Sequence, residues 1–383
     1  MKLRHGMPEE VGMSAERVRH IVDLAEGWVA QGITPALAVL VARRGVIVIH
    51  EAFGRLTPEP NSPPLELDTI FPLASLTKPI TATGAMILVE EGLLSLTHPV
   101  CQYIPEFVGE GKDAVMVHHL LTHTSGLREE DLDEYAEKRK GTVEIPPPDE
   151  TRHPWINEYL FLRHDAPLWK PPGTEMSYAD YNYRLLGEIM RRISKKSLDI
   201  FASERIFGPL GMKDSYYGTP DSVRHRIVVR PADAPFNEVI NLWMEVPLGS
   251  DGVISTTMDM AIFGQMFLNR GIYGDTRILS PITVAQMTRN QIPGVGSRHR
   301  DEFFPEASWG LGWNIHGDKK HMDAPVLGSS KVFRHGGLGT VLLWVDPVYE
   351  IVVAYFNVSL DSDRTFKQID LFVNAATAAI VDV

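Results

Sequence analysis

Near its start, the chain places apolar residues three or four positions apart, which is the spacing of one face of an α-helix. Ser14 precedes this run and has the kind of side chain that commonly caps a helix N-terminus. The apolar positions are Val18, Ile21, Val22, Ala25 and Val29. Helical spacing also predicts a helix over about residues 75–91, further helices towards residue 290, and a last helix over about residues 364–381.

Short β-rich runs at both ends of the chain predict strands. Residues 36–41 and 46–50 flank the turn residues Arg43, Arg44 and Gly45, which indicates a hairpin, and three more strands are predicted at residues 332–335, 341–345 and 351–356. The sequence therefore predicts an α+β fold in which terminal helices flank a mostly antiparallel sheet, with an all-helical region in the middle. We expect one unit over residues 1–383, with the sheet part at roughly 1–70 and 325–383.

The helical part and a cap are predicted at roughly residues 75–290. Within it, residues 129–173 are rich in proline, charge and aromatic residues. This composition is typical of an elaborated loop or cap, and residues that select a substrate often lie in such segments. We therefore expect this segment to influence which substrate is accepted.

Composition excludes several classes of protein. The 383 residues are 44% apolar and 22% charged, which is typical of a soluble globular protein. A net charge of −12 disfavours binding to nucleic acid, and no run of 18 apolar residues predicts a membrane span. The single Cys101 excludes an intramolecular disulfide, and residues 1–14 have no apolar core of a signal peptide, so a cytoplasmic protein is expected.

Ser75 and Lys78 form an S-x-x-K string at the start of a predicted helix. Three residues along a helix is nearly one turn, so both side chains would lie on one face. The helix N-terminus favours negative charge on a serine oxygen, and a lysine of lowered pKa could accept the serine proton. On this string alone, a helix cap beside a solvated lysine is the favoured interpretation.

Further segments give the string a context. They are residues 6–13 (GMPEEVGM), 117–127 (VHHLLTHTSGL), 170–181 (KPPGTEMSYADY), 248–256 (LGSDGVIST), 309–313 (WGLGW) and 333–339 (FRHGGLG). Together with the S-x-x-K string, the chain resembles the serine β-lactamase and D-Ala-D-Ala peptidase superfamily. The nearest similarity is to class C β-lactamases and to the β-lactamase-like family VIII carboxylesterases.

The resemblance implies a role for each residue of the site. Ser75 would be the nucleophile, and Lys78 and Tyr178 would be the pair that transfers protons, with either of them as the base of acylation. The backbone N–H groups of Ser75 and Leu338 would form the oxyanion hole, next to His335, Gly336 and Gly337. The resemblance implies acyl transfer through an acyl-enzyme, with no cofactor and no metal.

Two positions depart from the family pattern. The third motif is usually K-T-G, whereas this chain has His335-Gly336-Gly337, which lacks a lysine and a hydroxyl for a substrate carboxylate. Strand alternation would point Arg334 to the opposite face. Asp180 stands where the Y-x-N motif has asparagine, so it either pairs with Lys78, which would make Tyr178 the more suitable base, or caps the following helix.

Other residues have alternative interpretations. His118, His119 and His123 have spacings that a metal could use, but no third-ligand pattern follows, and structural hydrogen bonding is favoured. No G-x-S-x-G string occurs, which disfavours an α/β-hydrolase. Tyr181 and Trp309 are the preferred candidates for lining an acyl pocket.

These observations predict a serine hydrolase, specifically a carboxylesterase acting on small short-acyl esters. A β-lactamase, a D-amino-acid amidase or peptidase, an acyltransferase and a non-catalytic relative are the alternatives. The expected partner is a small-molecule ester or amide, with no nucleic acid and no membrane. The sequence does not determine the natural substrate, its chirality or the oligomeric state.

Overall fold

The computed structural model describes residues 1–299, 302–317, 325–339 and 341–382. The α-helices are α1 (Ala15–Ala30), α2 (Lys78–Glu90), α3 (Val117–Leu121), α4 (Glu129–Arg139), α5 (Pro154–Phe161), α6 (Asp180–Ser194), α7 (Leu198–Ala202), α8 (Gly208–Leu210), α9 (Asn237–Glu245), α10 (Thr257–Leu268), α11 (Pro281–Met287) and α12 (Ser362–Ala378). The strands are β1 (Arg4–His5), β2 (Ala36–Arg43), β3 (Val46–Gly54), β4 (Phe71–Pro72), β5 (Tyr216–Tyr217), β6 (Val253–Ser255), β7 (Ile272–Tyr273), β8 (Thr276–Arg277), β9 (Ser297–His299), β10 (Glu302–Phe304), β11 (Asn314–Ile315), β12 (Phe333–Gly337), β13 (Val341–Asp346) and β14 (Ile351–Asn357).

Seven strands form the main sheet, in the order β1-β3-β2-β14-β13-β12-β11. All neighbours are antiparallel except β1 and β3, which run parallel. The hairpin between β2 and β3 turns through Arg44 and Gly45, which both have positive φ. The predicted α+β class and its antiparallel sheet are confirmed, although β11 lies outside the residues that the sequence assigned to the sheet.

The alternation of side chains along β2 connects two apolar cores. Because successive side chains of a strand point to opposite faces, one set of β2 residues packs on each side of the sheet. Residues Ala36, Ala38, Leu40 and Ala42 belong to the larger core, and Leu37, Val39 and Val41 belong to the smaller one. The terminal helices α1 and α12 complete the smaller core with Ile21, Trp28 and Phe372.

The other face of the sheet is covered by the helical part of the chain. Ile80 of α2 and Phe263 of α10 are buried there beside Leu343 of β13. A small three-stranded sheet, ordered β4-β6-β5, lies in the same part and joins two segments that are far apart in sequence. Strand β4 leads into Ser75, and strand β6 follows Asp251. The pairing of β4 with β6, together with the bond from Leu73 N–H to the Val253 carbonyl (2.9 Å), brings these residues together.

The segment predicted as an elaborated loop, residues 129–173, contains two helices, α4 and α5. Helix α4 has acidic residues in its first turn and Lys138 and Arg139 in its last turn, which is the charge order that a helix dipole favours. The three prolines at residues 146–148, which follow this helix, made the segment resemble a loop. Within the described residues, no helix has both the length and the apolarity needed to cross a membrane.

Candidate active site

Ser75 lies in a single 3-10 turn, Ala74–Thr77, between β4 and α2. Ala74 has φ of +44°, a conformation that non-glycine residues rarely adopt and that is often found at functional sites. Lys78 is the first residue of α2, and its Nζ donates to Ser75 Oγ at 3.0 Å. The predicted proximity of the two side chains is therefore observed, with the serine in a 3-10 turn that precedes the helix.

The ammonium group of Lys78 is enclosed by oxygen atoms. Its side chain is fully buried, and Nζ lies 2.7 Å from Asp180 Oδ1, 3.2 Å from the Ser250 carbonyl oxygen and 3.5 Å from Asp251 Oδ1. Burial alone would lower the pKa of Lys78, but the two carboxylates outweigh this effect and raise the pKa above its usual value. Lys78 is thus an ammonium in the resting state.

The predicted pairing of Asp180 with Lys78 is observed, and the alternative role as a helix cap is not. The N-cap of α6 is Ala179, and Asp180 is the first helical residue. Burial would raise the pKa of Asp180, but the charges of Lys78 and Arg184 hold it below its usual value. Asp180 is therefore a carboxylate in the resting state.

Tyr178 lies over the charged end of Lys78, with the ring centre 4.8 Å from Nζ. Part of the residue is exposed, while its hydroxyl group interacts with Lys78 and Ser75. Loss of solvent around the hydroxyl raises the pKa of Tyr178 to about 12, because the nearby ammonium only partly offsets it. Lys78 and Tyr178 are both protonated at rest, and the expectation that Tyr178 is the better base of the two stays a prediction.

His123 positions the segment that carries Tyr178. Its Nδ1 accepts the N–H of Ala179 at 3.2 Å, its carbonyl accepts the N–H of Ser177 at 2.9 Å, and its ring stacks on Tyr178 with centroids 4.3 Å apart. His119 Nδ1 likewise accepts the N–H of Met116. These contacts agree with the structural interpretation of the histidines. In the described part of the chain, no group of three or more His, Cys, Asp or Glu residues is arranged to hold a metal ion.

Strand β12 forms the opposite wall. A Cβ on Gly337 would lie 2.0 Å from the Leu73 carbonyl oxygen, so the strand end packs directly against the segment that leads into Ser75. Leu338 directly follows the strand and lies near Phe71 and Pro72 of β4. This placement is compatible with the predicted oxyanion hole, whose two N–H groups stay a prediction.

His335 is an uncharged member of this wall. It is only 4% exposed, and its Nδ1 lies 2.7 Å from the carbonyl oxygen of Gly336, so that Nδ1 carries the hydrogen and donates it. Burial and the charge of Lys78 lower the pKa of His335 to about 3. Arg334 lies on the other face, 5.9 Å from the ring centre of Trp344, as strand alternation predicted.

The two aromatic candidates have different positions. Trp309 is at the site, with its ring 5.9 Å from Tyr178 and 5.7 Å from His335. Tyr181 is completely buried, and its hydroxyl lies 3.2 Å from His164 Nδ1, inside the larger core. The prediction that Tyr181 lines a substrate pocket is therefore wrong.

Sequence reasoning missed Asp251 and Arg184. Ser75 Oγ donates to Asp251 Oδ1 at 3.3 Å, and Arg184 donates to Asp251 Oδ2 at 3.2 Å. A signal was present in each case. Arg184 lies four residues after Asp180 on a helix, and Asp251 is a charged residue two positions before the apolar strand β6. Neither signal identifies a contact with Ser75, since that contact depends on the pairing of β4 with β6.

Comparisons with known proteins agree with this geometry. A protein of Salmonella enteritidis PT4, provisionally named a D-alanyl-D-alanine carboxypeptidase, is 26% identical over 386 residues, which cover 90% of this chain and 83% of that protein. A penicillin-binding protein homologue from Caulobacter crescentus superposes with a TM-score of 0.75 at 22% identity, covering 96% of this chain and 99% of the other. A family VIII carboxylesterase superposes with a TM-score of 0.72 at 22% identity, with the same coverage of 96% and 99%.

The structural neighbours confirm the fold, and the family is established by the sequence itself. The family model described as Beta-lactamase matches residues 19–375, which include the S-x-x-K string, the Tyr178 segment and strand β12. The resemblance stated from the motifs is confirmed. The chain belongs to the beta-lactamase family of serine hydrolases.

Proposed function

We propose that this protein is a carboxylesterase that cleaves small, uncharged, short-acyl esters through an acyl-enzyme on Ser75. The observation that carries the proposal is the state of His335, which is buried and neutral where a carboxylate-binding relative would have a cation. The other charges near Ser75 balance in pairs, with Lys78 and Arg184 facing Asp180 and Asp251. A substrate carboxylate would therefore be desolvated here without a free cation to bind it.

In the proposed reaction, Ser75 attacks the ester carbonyl, the alcohol leaves, and water then releases the acid. The N–H groups of Ser75 and Leu338 would stabilise the negative charge on the carbonyl oxygen. Lys78 and Tyr178 would transfer protons, and Trp309 would contact the acyl group. The cytoplasmic location and the small-molecule partner stay predictions of the sequence.

A direct test compares a p-nitrophenyl acyl series with a chromogenic cephalosporin. We expect the ester series to turn over with a preference for short acyl groups, and the cephalosporin to turn over slowly. Ser75→Ala is the control, and it should reduce ester turnover by about four to six orders of magnitude. The remaining alternatives each have a distinct result in the same assay.

Preferential hydrolysis of the cephalosporin or of a D-alanyl peptide would replace the esterase proposal with a β-lactamase or a peptidase. Faster release of p-nitrophenol on addition of an alcohol, with formation of the new ester, would indicate an acyltransferase. A folded protein that neither turns over esters nor reacts with a fluorophosphonate at Ser75 would indicate a non-catalytic relative.

A further inference from the structure

A buried carboxylate lies next to the proposed nucleophile. The Asp251 side chain is fully buried, and its Oδ1 accepts a hydrogen bond from Ser75 Oγ at 3.3 Å. Ser75 Oγ in turn accepts from the ammonium of Lys78 at 3.0 Å. Ser75 Oγ therefore lies between a carboxylate, which can only accept its hydrogen, and an ammonium, which can only donate to its lone pair.

Two residues hold the Asp251 carboxylate in this orientation. Arg184 donates to Oδ2 at 3.2 Å and to Ser250 Oγ at 3.0 Å, and the Ser250 hydroxyl also donates to Oδ2. The guanidinium of Arg184 is itself fixed, 4.2 Å from the ring centre of Tyr159. Because Oδ2 is occupied by these donors, Oδ1 is the oxygen that faces the hydroxyl group.

The groups that the family resemblance offered as bases are both protonated at rest. Two carboxylates stabilise the charge of Lys78, and burial disfavours the phenolate of Tyr178. A protonated amine and a phenol can donate a proton to a leaving group, but they cannot accept one from Ser75. The ionisable groups around Asp251 and its immediate partners are Lys78, His123, Glu129, Tyr159, Tyr178, Asp180, Arg184 and His335.

We propose that Asp251 is a further catalytic residue, which accepts the Ser75 proton during acylation while Lys78 and Tyr178 serve as the donors. This inference rests on the proposed acyl-enzyme mechanism. As the Ser75 Oγ–acyl bond forms, the Ser75 proton moves to Asp251 Oδ1. As the acyl–alkoxy bond breaks, the alkoxide takes a proton from Lys78 through the Tyr178 hydroxyl, and the proton on Asp251 returns to Lys78 across 3.5 Å. In deacylation, the attacking water gives a proton to Asp251 while Lys78 protonates Ser75 Oγ at 3.0 Å, and the proton on Asp251 then returns to Lys78.

The wild-type protein gives the first test, because the two kinds of base differ in their pH dependence. If the acceptor in the resting site needs no prior deprotonation, kcat/KM for a neutral ester should be constant between about pH 7 and pH 9. If free Lys78 or the Tyr178 phenolate were the base, kcat/KM would rise about tenfold for each pH unit over this range, because both groups are protonated there. A tenfold rise per pH unit would overturn the proposal.

The second test is Asp251→Asn, which keeps the size of the side chain and removes the acceptor. We expect the rate of acylation, followed by burst kinetics and by fluorophosphonate labelling of Ser75, to fall by about 10²-fold to 10⁴-fold. The matched control is Asp259→Asn, because Asp259 is also a buried carboxylate, bound by Asp214 N–H and Ser215 Oγ. The control should keep the wild-type rate.

The two proposals fail in different ways. If Ser75→Ala abolishes ester turnover but folded Asp251→Asn acylates within about threefold of the wild type, the esterase proposal stands and the role of Asp251 is overturned. If no ester is turned over, labelling of Ser75 against pH still tests Asp251 alone. If Asp251→Asn does not fold, the wild-type pH profile decides, and a flat profile supports the carboxylate as the base.

Discussion

At the residue scale, the surroundings of a side chain at this site decide its charge more than its type does. Free in water, a lysine and a histidine would both be possible proton acceptors near neutral pH or above it. Here two carboxylates keep Lys78 charged, and burial keeps His335 neutral. The positive charge therefore lies on Lys78 and not on residue 335 of the strand, where a cation would be needed to bind a substrate carboxylate.

Changing His335 to lysine tests this account of substrate choice. The test compares two p-nitrophenyl adipates, one with a free carboxylate at the far end of the acyl chain and one with that carboxylate methylated. In His335→Lys, the new ammonium should raise kcat/KM for the free carboxylate, relative to the methyl ester, by about tenfold or more. The reason is that a hydrogen bond to a charged group contributes about 1.5–3 kcal/mol. His335→Gln is the control, because it offers polar atoms without charge. An unchanged ratio in folded His335→Lys would mean that His335 does not face the acyl chain.

The proximity of Ser75 and Lys78 was predictable for a local reason, whereas the placement of Tyr178 and His335 at the same site came from the family resemblance. Ser75 and Lys78 are three positions apart, so local helical geometry alone brings them together. Asp251 is 176 positions from Ser75, and no local rule predicts that contact. Tyr181 was wrong for a local reason, since consecutive residues of a helix point about 100° apart and Asp180 already faces the site.

At the element scale, the site depends on how closely the end of β12 approaches the turn that carries Ser75. Gly337 is the residue at this contact, and a Cβ there would meet the Leu73 carbonyl oxygen at 2.0 Å and a Val341 methyl at 2.7 Å. Gly336 has more room, since its nearest neighbour is the Val341 carbonyl oxygen at 3.4 Å. The glycine pair of the third motif thus has one position that requires glycine for close packing.

We therefore expect Gly337→Ala to separate the strand from the turn. Overpacking of this kind lowers the free energy of unfolding by about 1–3 kcal/mol, and displacement of the strand should lower ester turnover by at least about 10²-fold. Gly336→Ala is the control for stability, and its Tm should stay close to that of the wild type. Equal Tm values for the two variants would show that the end of β12 moves to accommodate the added methyl group at little cost in stability.

Element prediction followed the strength of the local pattern. The hairpin of β2 and β3 was predictable because alternating or continuous apolar runs flank residues suited to a tight turn. Helices α4 and α5 were missed because the prolines near them are typical of loops. In addition, α5 is a short helix that its local sequence does not stabilise alone, and it depends on the packing of Tyr159 and Leu160 into the core. The order of strands in the sheet was not predicted, since periodicity does not specify which strands pair.

At the scale of the whole molecule, several ionisable groups are buried in their uncharged form. The pKa values of His50, His119 and His164 are lowered to about 4, and that of His335 to about 3, with burial as the main cause. Burial also raises the pKa values of Glu129 and Asp259 to about 6. These two sets of groups have opposite effects on how stability depends on pH.

Histidines that are neutral when folded become protonated on unfolding below about pH 6.5, so they favour the unfolded state as the pH falls towards 4. The two carboxyl groups are protonated when folded and lose protons on unfolding between about pH 4 and pH 6, so they favour the folded state at acid pH. Near pH 5, the four histidines take up about three to four protons and the two acids release about one to two. Burial also lowers the pKa values of His118, His123 and His153, which add to the uptake, so unfolding takes up at least about two protons.

The free energy of unfolding should therefore fall by at least about 3 kcal/mol as the pH is lowered from 6 to 5, which differential scanning calorimetry would record as a falling Tm. His164→Gln offers a matched variant, because glutamine can still accept from the Tyr181 hydroxyl but does not titrate. Its Tm should fall less steeply with decreasing pH, because unfolding of the variant takes up about one proton fewer. A Tm that is constant or rises as the pH falls from 6 to 5 would mean that the two buried carboxyl groups, and not the histidines, dominate the acid response of the fold.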